Sequence, residues 1–419
     1  MSNILSAIVV QFGPHFAKNI APLKTYFTLD PGWTINPTHW GLLQTAVSIP
    51  CAIFPWVVGR YVDRALSAQT ALTLSLIIVC VGQIVFIIAV KDNLFSFALF
   101  GRFVFGIGEG LTSSLPGCIA VKFIPRNKMF AIGLTASFHA LAVGLSKATL
   151  APVALHTSYV WALFLSFIMC LLSLLLSVFV VPVKVVNRVK RTQSVHQIKL
   201  PLDFWIVAAI HLLFSSSHRL FGHIDAPFLQ EKLGHSASVA GYTSSLTELI
   251  AFVVAPILGA ILDRHCPLHA LPTLLLLAAV GGFVAYGVLA MPGISVTSAE
   301  ICLVLIGVVN GVTPTVLKAV VAETVSAKQS ATAFGVYESS EAMGVIGGSV
   351  MIGLVVERAP EQHYDTCIPL FSVLLLISCI LASVLLVRGR IYASLKFREF
   401  STVQHEIEVC KSLSRRGWG

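Results

Sequence analysis

The sequence predicts an all-α membrane protein whose twelve transmembrane helices form two similar six-helix bundles. The 419 residues are 56% hydrophobic and only 11% charged, whereas soluble domains carry about 25% charged residues. Apolar runs recur along the whole chain. Runs of about 20 residues cross a bilayer as helices, since a helix satisfies its own backbone hydrogen bonds in lipid. A charged loop also occurs twice: residues 59–64 read Gly-Arg-Tyr-Val-Asp-Arg and residues 259–264 read Gly-Ala-Ile-Leu-Asp-Arg.

Twelve apolar runs are long enough to be spans, and we number them in chain order. The first contains Gln11, His15 and Lys18, which is typical of a retained helix and not of a cleaved signal peptide. The predicted spans lie near residues 3–25, 40–58, 69–90, 95–121, 129–154, 159–182, 203–225, 238–258, 269–291, 298–321, 330–356 and 366–387.

The two bundles are predicted to be internal repeats. Phe16–Pro22 is similar to Phe221–Pro227, and Gly106–Gly110 is similar to Gly307–Gly311. These matches place span 1 opposite span 7 and span 4 opposite span 10. We therefore expect a first bundle, a basic cytoplasmic linker, a second bundle and a cytoplasmic tail, at residues 1–183, 184–200, 201–387 and 388–419.

Positive charge is distributed unevenly between the loops. The loops after even-numbered spans, with the tail, hold 19 of the 28 lysines and arginines, and the opposite loops hold four. By the positive-inside rule, both termini face the cytoplasm. The net charge of +9 therefore needs no nucleic-acid partner. The expected environment is a lipid bilayer, in the plasma membrane or a lysosome-like or vacuolar membrane, and the expected assembly is a monomer or homodimer.

Cysteines and catalytic motifs exclude other classes of protein. The nine cysteines occur singly, mostly within apolar runs and without a Cys-x-x-Cys pair, which favours packing roles over disulfides or metal ligands. The glycine run in span 4 follows no strand, so it does not indicate nucleotide binding. No nucleophile–base set stands out. We expect no enzyme activity, no catalytic residue, no metal and no cofactor.

Polar and charged side chains inside the spans are the candidates for substrate binding or proton coupling. At a helix centre each charge costs roughly 2.5–3.5 kcal/mol unless it faces a cavity or a partner. In span 1 three of them share a helical face, and in span 7 two histidines share a stripe beside Arg219, where histidine can handle protons near neutrality. The candidates are Gln11, His15, Lys18, Glu109, His139, His211, His218, Arg219, Glu248, Glu338 and Glu341.

Other interpretations of these side chains stay open. A histidine can be a packing residue, Lys18 can extend to the membrane surface, and the acids can pair with lysine or arginine from another helix. Lys147 and Lys318 are weaker candidates. Because the proposed cavity holds both signs of charge, the preferred substrate is zwitterionic: amino acids or small peptides, moved by facilitated diffusion or proton coupling between rocking halves. The alternatives are a proton-coupled organic anion transporter and a non-transporting nutrient sensor on the same fold.

The duplicated loop resembles the signature Gly-x-x-x-Asp-Arg of the major facilitator superfamily, at 59–64 and 259–264, and Gly101–Gly108 resembles that family's span-4 pattern. Cys80–Phe86 and Ala333–Tyr337, with Phe228-Leu229-Gln230-Glu231-Lys232-Leu233-Gly234, are similar to its lysosomal dipeptide-transporter branch. The resemblance implies a facilitative dipeptide carrier with an accessory membrane glycoprotein as partner. That branch carries an arginine in its fifth helix, where this chain has Phe138-His139-Ala140.

A gating role is expected for the duplicated loop, largely through this resemblance. Asp63 can pair with Arg64 or with a neighbouring helix end, and Gly59 allows close approach of helices. The alternative is a topology signal combined with a turn. Arg102 matches the family arginine implicated in coupling. The predicted gating residues are Gly59, Asp63, Arg64, Arg102, Gly259, Asp263 and Arg264.

Overall fold

The computed structural model describes residues 8–29, 32–33, 35–64, 67–124, 127–179, 200–265, 270–358 and 366–389. Within these ranges the chain forms helices joined by short connections, and no residue there is in a strand. Nearly all of the predicted linker and the tail beyond residue 389 lie outside the described ranges. We refer to residues 8–179 as the first half and to residues 200–389 as the second half.

Eleven helices of the described ranges are long and apolar enough to cross a membrane. Shorter helices accompany them at the start of each half. In chain order the helices are α1 Phe12–Lys18, α2 Lys24–Leu29, α3 Pro37–Arg64, α4 Ala68–Lys91, α5 Phe95–Phe123, α6 Lys128–His156, α7 Tyr159–Phe179, α8 Leu202–Gly222, α9 Asp225–Leu233, α10 Ala237–His265, α11 Leu271–Leu289, α12 Val296–Thr324, α13 Ser330–Arg358 and α14 Ile368–Gly389.

The first predicted span is a broken helix. α1 ends at Lys18, a 3₁₀ turn follows at Ala21–Leu23, and α2 begins at Lys24. Pro22 has no N–H to donate to the carbonyl of Lys18 four residues earlier, so a regular helix cannot continue. In the second half α8 likewise ends at Gly222 and α9 begins at Asp225. The sequence predicted the repeat of this segment but not its break.

The outer faces of the helices are apolar and suit a lipid environment. Trp161 on α7, Leu277 on α11 and Ile301 on α12 are each more than half exposed. Exposed apolar side chains on this scale are expected for a surface that lipid covers, since lipid tails impose no hydrophobic penalty.

Two antiparallel helix pairs join the halves: α3 with α13, and α6 with α10. Glycines make these contacts close, and a Cβ on Gly59 would lie 2.5 Å from the carbonyl oxygen of Ala331. At the other end of α3, a Cβ on Gly41 would lie 2.5 Å from the carbonyl oxygen of Ser349. No side chain fits at either place, so the backbones touch at both ends of this helix pair.

The α6–α10 pair repeats this arrangement. A Cβ on Gly259 would lie 2.4 Å from the carbonyl oxygen of Met129, and one on Gly241 would lie 2.7 Å from that of Lys147. These glycines lie near opposite ends of α10. The halves therefore meet at both ends of the bundle.

The signature-loop aspartates cross between the halves at one end of the bundle, which we call the signature-loop end. Asp63 of the first half accepts hydrogen bonds from the backbone N–H groups of Ala331 and Thr332, at 3.1 and 2.7 Å. Asp263 of the second half accepts from those of Met129 and Phe130, at 3.1 and 2.8 Å. Each carboxylate thus satisfies donors at the first turn of a helix in the opposite half, where the helix dipole favours negative charge.

Candidate functional site

Two adjoining cavities lie between the halves, near the middle of the bundle. The first, cavity A, has an empty volume of about 570 Å³ and the second, cavity B, about 430 Å³. Arg219, His218 and His139 line both of them. A third cavity of about 330 Å³ lies towards the end opposite the signature loops and shares His223 with cavity B. Most of the predicted site residues meet in the walls of cavities A and B.

In the first half the centre of the site is Glu109 on α5. Its carboxylate lies 3.0 Å from the Lys18 ammonium and 3.2 Å from Nδ1 of His15. The other carboxylate oxygen lies 2.9 Å from the thiol sulfur of Cys51 on α3. Glu109 is fully buried beneath cavity B, so its negative charge is held by side chains of its own half.

In the second half Arg219 on α8 connects the two sides of the cavity. Its Nε donates to Glu341 on α13 at 2.8 Å, and its terminal nitrogen lies 2.6 Å from Nε2 of His139 on α6. The His139 ring packs against the His15 ring, with centroids 3.8 Å apart. Arg219 therefore pairs with an acid in its own half and contacts a histidine of the other half.

His211 on α8 contacts Glu341 on α13 in the wall of cavity A. Its Nδ1 lies 2.8 Å from the carbonyl oxygen of Tyr337, and its Nε2 lies 3.5 Å from the Glu341 carboxylate. The His211 ring stacks on the Tyr337 ring, with centroids 3.6 Å apart. These contacts fix the orientation of the imidazole in the wall of cavity A.

The other acid of cavity A pairs within the second half. Lys318 on α12 lies 2.9 Å from Glu338 on α13, and both line cavity A. The sequence made Lys318 only a weaker candidate, and the structure places it in the wall of cavity A.

A third charged group links the halves at cavity B. The Lys147 ammonium on α6 lies 2.5 Å from Asp225 on α9 and 3.6 Å from Glu248 on α10. Glu248 also accepts a hydrogen bond from Asn310 on α12 at 3.0 Å and lies 3.6 Å from Nε2 of His218. Lys147 is buried, and its two acidic neighbours both belong to the opposite half.

Three kinds of candidate lie away from the cavity walls. Gln11 is buried and donates to the carbonyl oxygen of Thr135 at 2.8 Å, which fastens the first segment to α6. Arg102 donates to the carbonyl of Lys18 at 2.8 Å, where Pro22 left that oxygen without its helical partner. Arg64 and Arg264 have exposed side chains, while the neighbouring aspartates bind the opposite helices.

Sequence reasoning undervalued the residues that complete the site. Lys147 was a weaker candidate, and Asp225 was not among the candidates. Asn310 and Tyr337 carry no charge and gave no signal in the sequence. A buried lysine in an apolar span needs an acid nearby, and this rule alone indicates Lys147. Its partners come from other helices and could not be read from spacing within one helix.

The charges around the two cavities differ in sign between the halves. The first half contributes three bases and one acid: Lys18, Arg102, Lys147 and Glu109. The second half contributes two bases and four acids: Arg219, Lys318, Asp225, Glu248, Glu338 and Glu341. Each of the five acids lies within 4 Å of a base. Every acid of the site is thus already paired with a base. To bind there, a charged ligand would have to replace one partner of an existing ion pair.

Metal binding has no geometric support in the described part of the chain, where no group of three or more His, Cys, Asp and Glu side chains converges. The cysteines described there are free and, except for the partly exposed Cys379, buried. Cys266 and Cys410 lie outside the described ranges. The chemistry available at the centre is therefore ion pairing, hydrogen bonding and proton exchange at histidine.

Comparison of the sequence with known families gives a match along nearly its whole length. The sequence pattern of the Major Facilitator Superfamily matches residues 3–349 and 224–403. The human protein named "Lysosomal dipeptide transporter MFSD1" is 25% identical over 395 residues, which cover 87% of this chain and 83% of that protein.

Solved structures show the same fold at low sequence identity. The human organic anion transporter MFSD10 (TETRAN) has a TM-score of 0.71 with 14% identity, covering 90% of this chain and 98% of that one. The transporter FucP in the outward conformation has a TM-score of 0.67 with 15% identity, covering 91% and 98%.

Proposed function

Because the chain belongs to the major facilitator superfamily and is therefore an integral membrane transporter of a small molecule, we propose that its substrates are small zwitterionic peptides. The proposal rests on one observation above all: the acids and bases that line cavity A and cavity B are already paired with each other. The Arg219–Glu341 pair, at 2.8 Å, is the most accessible of these to a ligand in the cavity.

Charge balance favours a zwitterion in this site. A ligand carrying a carboxylate and an ammonium can insert between Arg219 and Glu341 and leave both side chains paired. A simple anion would take Arg219 and leave Glu341 without its base. An unpaired charge in a buried site costs about 3–5 kcal/mol, which is a strong penalty against net-charged substrates.

Resemblance supports the same class of substrate. A relative is named a dipeptide transporter, and the branch it represents carries an arginine in the fifth helix. Here that helix position holds His139, and Arg219 brings a guanidinium to it from the opposite half, at 2.6 Å. The guanidinium is present at the same wall of the cavity, although another helix supplies it. A lysosome-like membrane is the corresponding location that we propose, to be tested by imaging of the tagged protein.

The proposal is tested by binding and uptake with purified protein. We expect dipeptides to raise the melting temperature and to enter proteoliposomes, with weaker effects for single amino acids. Arg219→Ala and Glu338→Gln should each weaken dipeptide binding about 10- to 100-fold, since each leaves a buried partner unpaired. Arg60→Ala, at an exposed position, is the matched control and should bind normally.

Three outcomes would contradict this assignment. Stabilisation and uptake of organic anions without any effect of dipeptides would indicate the anion transporter. Dipeptide binding without uptake would indicate a sensor. Unchanged dipeptide affinity in both Arg219→Ala and Glu338→Gln would remove these residues from the binding site.

A further inference from the structure

The group around Lys147 holds one more acid than base. Lys147 faces both Asp225 and Glu248, at 2.5 and 3.6 Å, whereas Glu109, Glu338 and Glu341 each have a lysine or arginine of their own. With a neutral His218, the group carries a net negative charge. Its side chains are almost fully buried, with exposed fractions of 1 to 3% for the three charged members.

The hydrogen bonds show which carboxylate oxygen of the group is held only by longer ionic contacts. Both oxygens of Asp225 are used, one by Lys147 and the other by the backbone N–H of Ala226 at 2.7 Å. One oxygen of Glu248 accepts from Asn310. The other, Oε1, lies 3.6 Å from both the Lys147 ammonium and Nε2 of His218, beyond hydrogen-bonding distance of either.

His218 faces this oxygen with an unused nitrogen. Its Nε2 is buried and makes no hydrogen bond within the described residues. The side chain is 9% exposed and lines both central cavities, so solvent in an opened cavity can reach it. Protonation of the imidazole would give an N–H that points at Glu248 and would supply the missing positive charge.

We propose that a proton binds between His218 and Glu248 and that the chain moves this proton together with its substrate. The proton comes from the water of the opened cavity, occupies Nε2 of His218 and forms a charge-assisted hydrogen bond to Oε1 of Glu248. Glu248 then has a base within its own half, and Lys147 keeps only Asp225 as its acid across the half interface. Proton binding thereby loosens one of the links that hold the halves together.

The surrounding charges set the affinity for this proton. Charges of both signs surround the pair. The titratable, charged and polar groups that line the cavities around the pair come from every neighbouring helix. They are Lys147 and His139 from α6, Arg219 and His211 from α8, His223 after α8, Asp225 from α9, Tyr286 from α11, Asn310 and Lys318 from α12, Glu338 and Glu341 from α13, and His15 and Lys18 from α1.

The first experiment needs no substrate. Melting temperatures of the purified full chain are compared at about pH 5.5 and about pH 7.5, on either side of the ordinary histidine pKa of about 6.5. A protonated His218 gains Glu248 as partner, so the wild type should gain stability at the lower pH relative to His218→Gln and Glu248→Gln. The exposed His156→Gln should behave as the wild type. The same pH dependence in the wild type and His218→Gln would overturn the proton site.

The second experiment measures coupling and rests on the proposed function. Dipeptide uptake into proteoliposomes that contain a trapped pH-sensitive dye should acidify the lumen in the wild type. In His218→Gln the ratio of gradient-driven accumulation to labelled-for-unlabelled dipeptide exchange should fall at least about tenfold. Wild-type uptake without proton movement would overturn the coupling and leave the substrate assignment intact. If no dipeptide is transported at all, only the substrate assignment is contradicted. The proton site is then still tested by the melting temperatures of the first experiment, which need no substrate.

Discussion

At the scale of single residues, Pro22 and Arg102 together shape the first segment. Pro22 leaves the carbonyl of Lys18 without a helical donor, and Arg102 supplies one at 2.8 Å. The guanidinium also lies over the rings of Phe86 and Phe105, at 5.3 and 5.4 Å. Arg102 therefore fixes the break that directs Lys18 towards Glu109.

This arrangement predicts a stability defect for Arg102→Lys. Lysine keeps the charge but cannot span the carbonyls of Ala17 and Lys18 with a planar fork. We expect a loss of about 1–3 kcal/mol in unfolding free energy, because buried carbonyls lose charge-assisted donors. Thermal unfolding in detergent measures it, with the exposed Arg60→Lys as the control. Equal melting temperatures of the two variants would show that Arg102 does not support the break.

Residue-scale prediction from sequence rested on the physical needs of each residue type. Intramembrane charges had to face a cavity or a partner, and all the candidates for binding except Gln11 and Glu109 line cavity A or cavity B. The partner of each charge was not predictable. Arg219 meets His139 and Glu341 across 80 and 122 residues of sequence, and only the packing of helices brings them together.

At the scale of helices, the signature-loop aspartates act on helix ends. Asp63 and Asp263 each hold the first turn of a helix from the opposite half. The sequence allowed either Arg64 or a helix end as the partner of Asp63. The structure selects the helix end, and Gly59 and Gly259 permit the approach that the hydrogen bonds require.

We expect Asp63→Asn and Asp263→Asn to favour opening at the signature-loop end. Asparagine removes the charge and presents one acceptor in place of two, at a cost of about 0.3–1 kcal/mol for the lost helix-dipole interaction. That energy changes the ratio of closed to open forms by up to about fivefold. Uptake should slow while dipeptide affinity stays within about twofold. The exposed Asp92→Asn is the control. Normal uptake by both variants at equal protein amounts would exclude the gating role.

Helix positions were largely predictable from the apolar runs, because a span needs a fixed length of apolar sequence. The breaks after Lys18 and Gly222 were not predicted, although Pro22 and Pro227 mark them. The missed signal was the proline itself, which removes a donor four residues from a carbonyl. Because the sequence on both sides of each break is mostly apolar, each of these two segments was predicted as one continuous span.

At the scale of the whole molecule, the halves are in contact at both ends. Lys128 of α6 pairs with Glu323 of α12 at 2.5 Å near the signature-loop end. Thr38 of α3 donates a hydrogen bond to Glu357 of α13 at the other end. A transporter that alternates access has to break one of these contacts at a time.

Cross-linking either end should therefore stop transport. We expect Thr38→Cys with Glu357→Cys, and separately Lys128→Cys with Glu323→Cys, to react with a short thiol-to-thiol cross-linker and to lose nearly all dipeptide uptake. The four single-cysteine variants, treated with the same reagent, are the controls. Uptake by fully cross-linked protein would mean that the linked end does not open during transport.

The unequal charges of the two halves also bear on the history of the duplication. A half with an excess of bases fits a half with an excess of acids, but two copies of either would bring like charges together at the buried interface. The repeats are therefore no longer interchangeable. If the halves are produced as separate polypeptides, residues 1–183 and 201–419, they should assemble with each other and not with themselves. Two identical halves could meet at this interface only with a different, self-complementary set of charges.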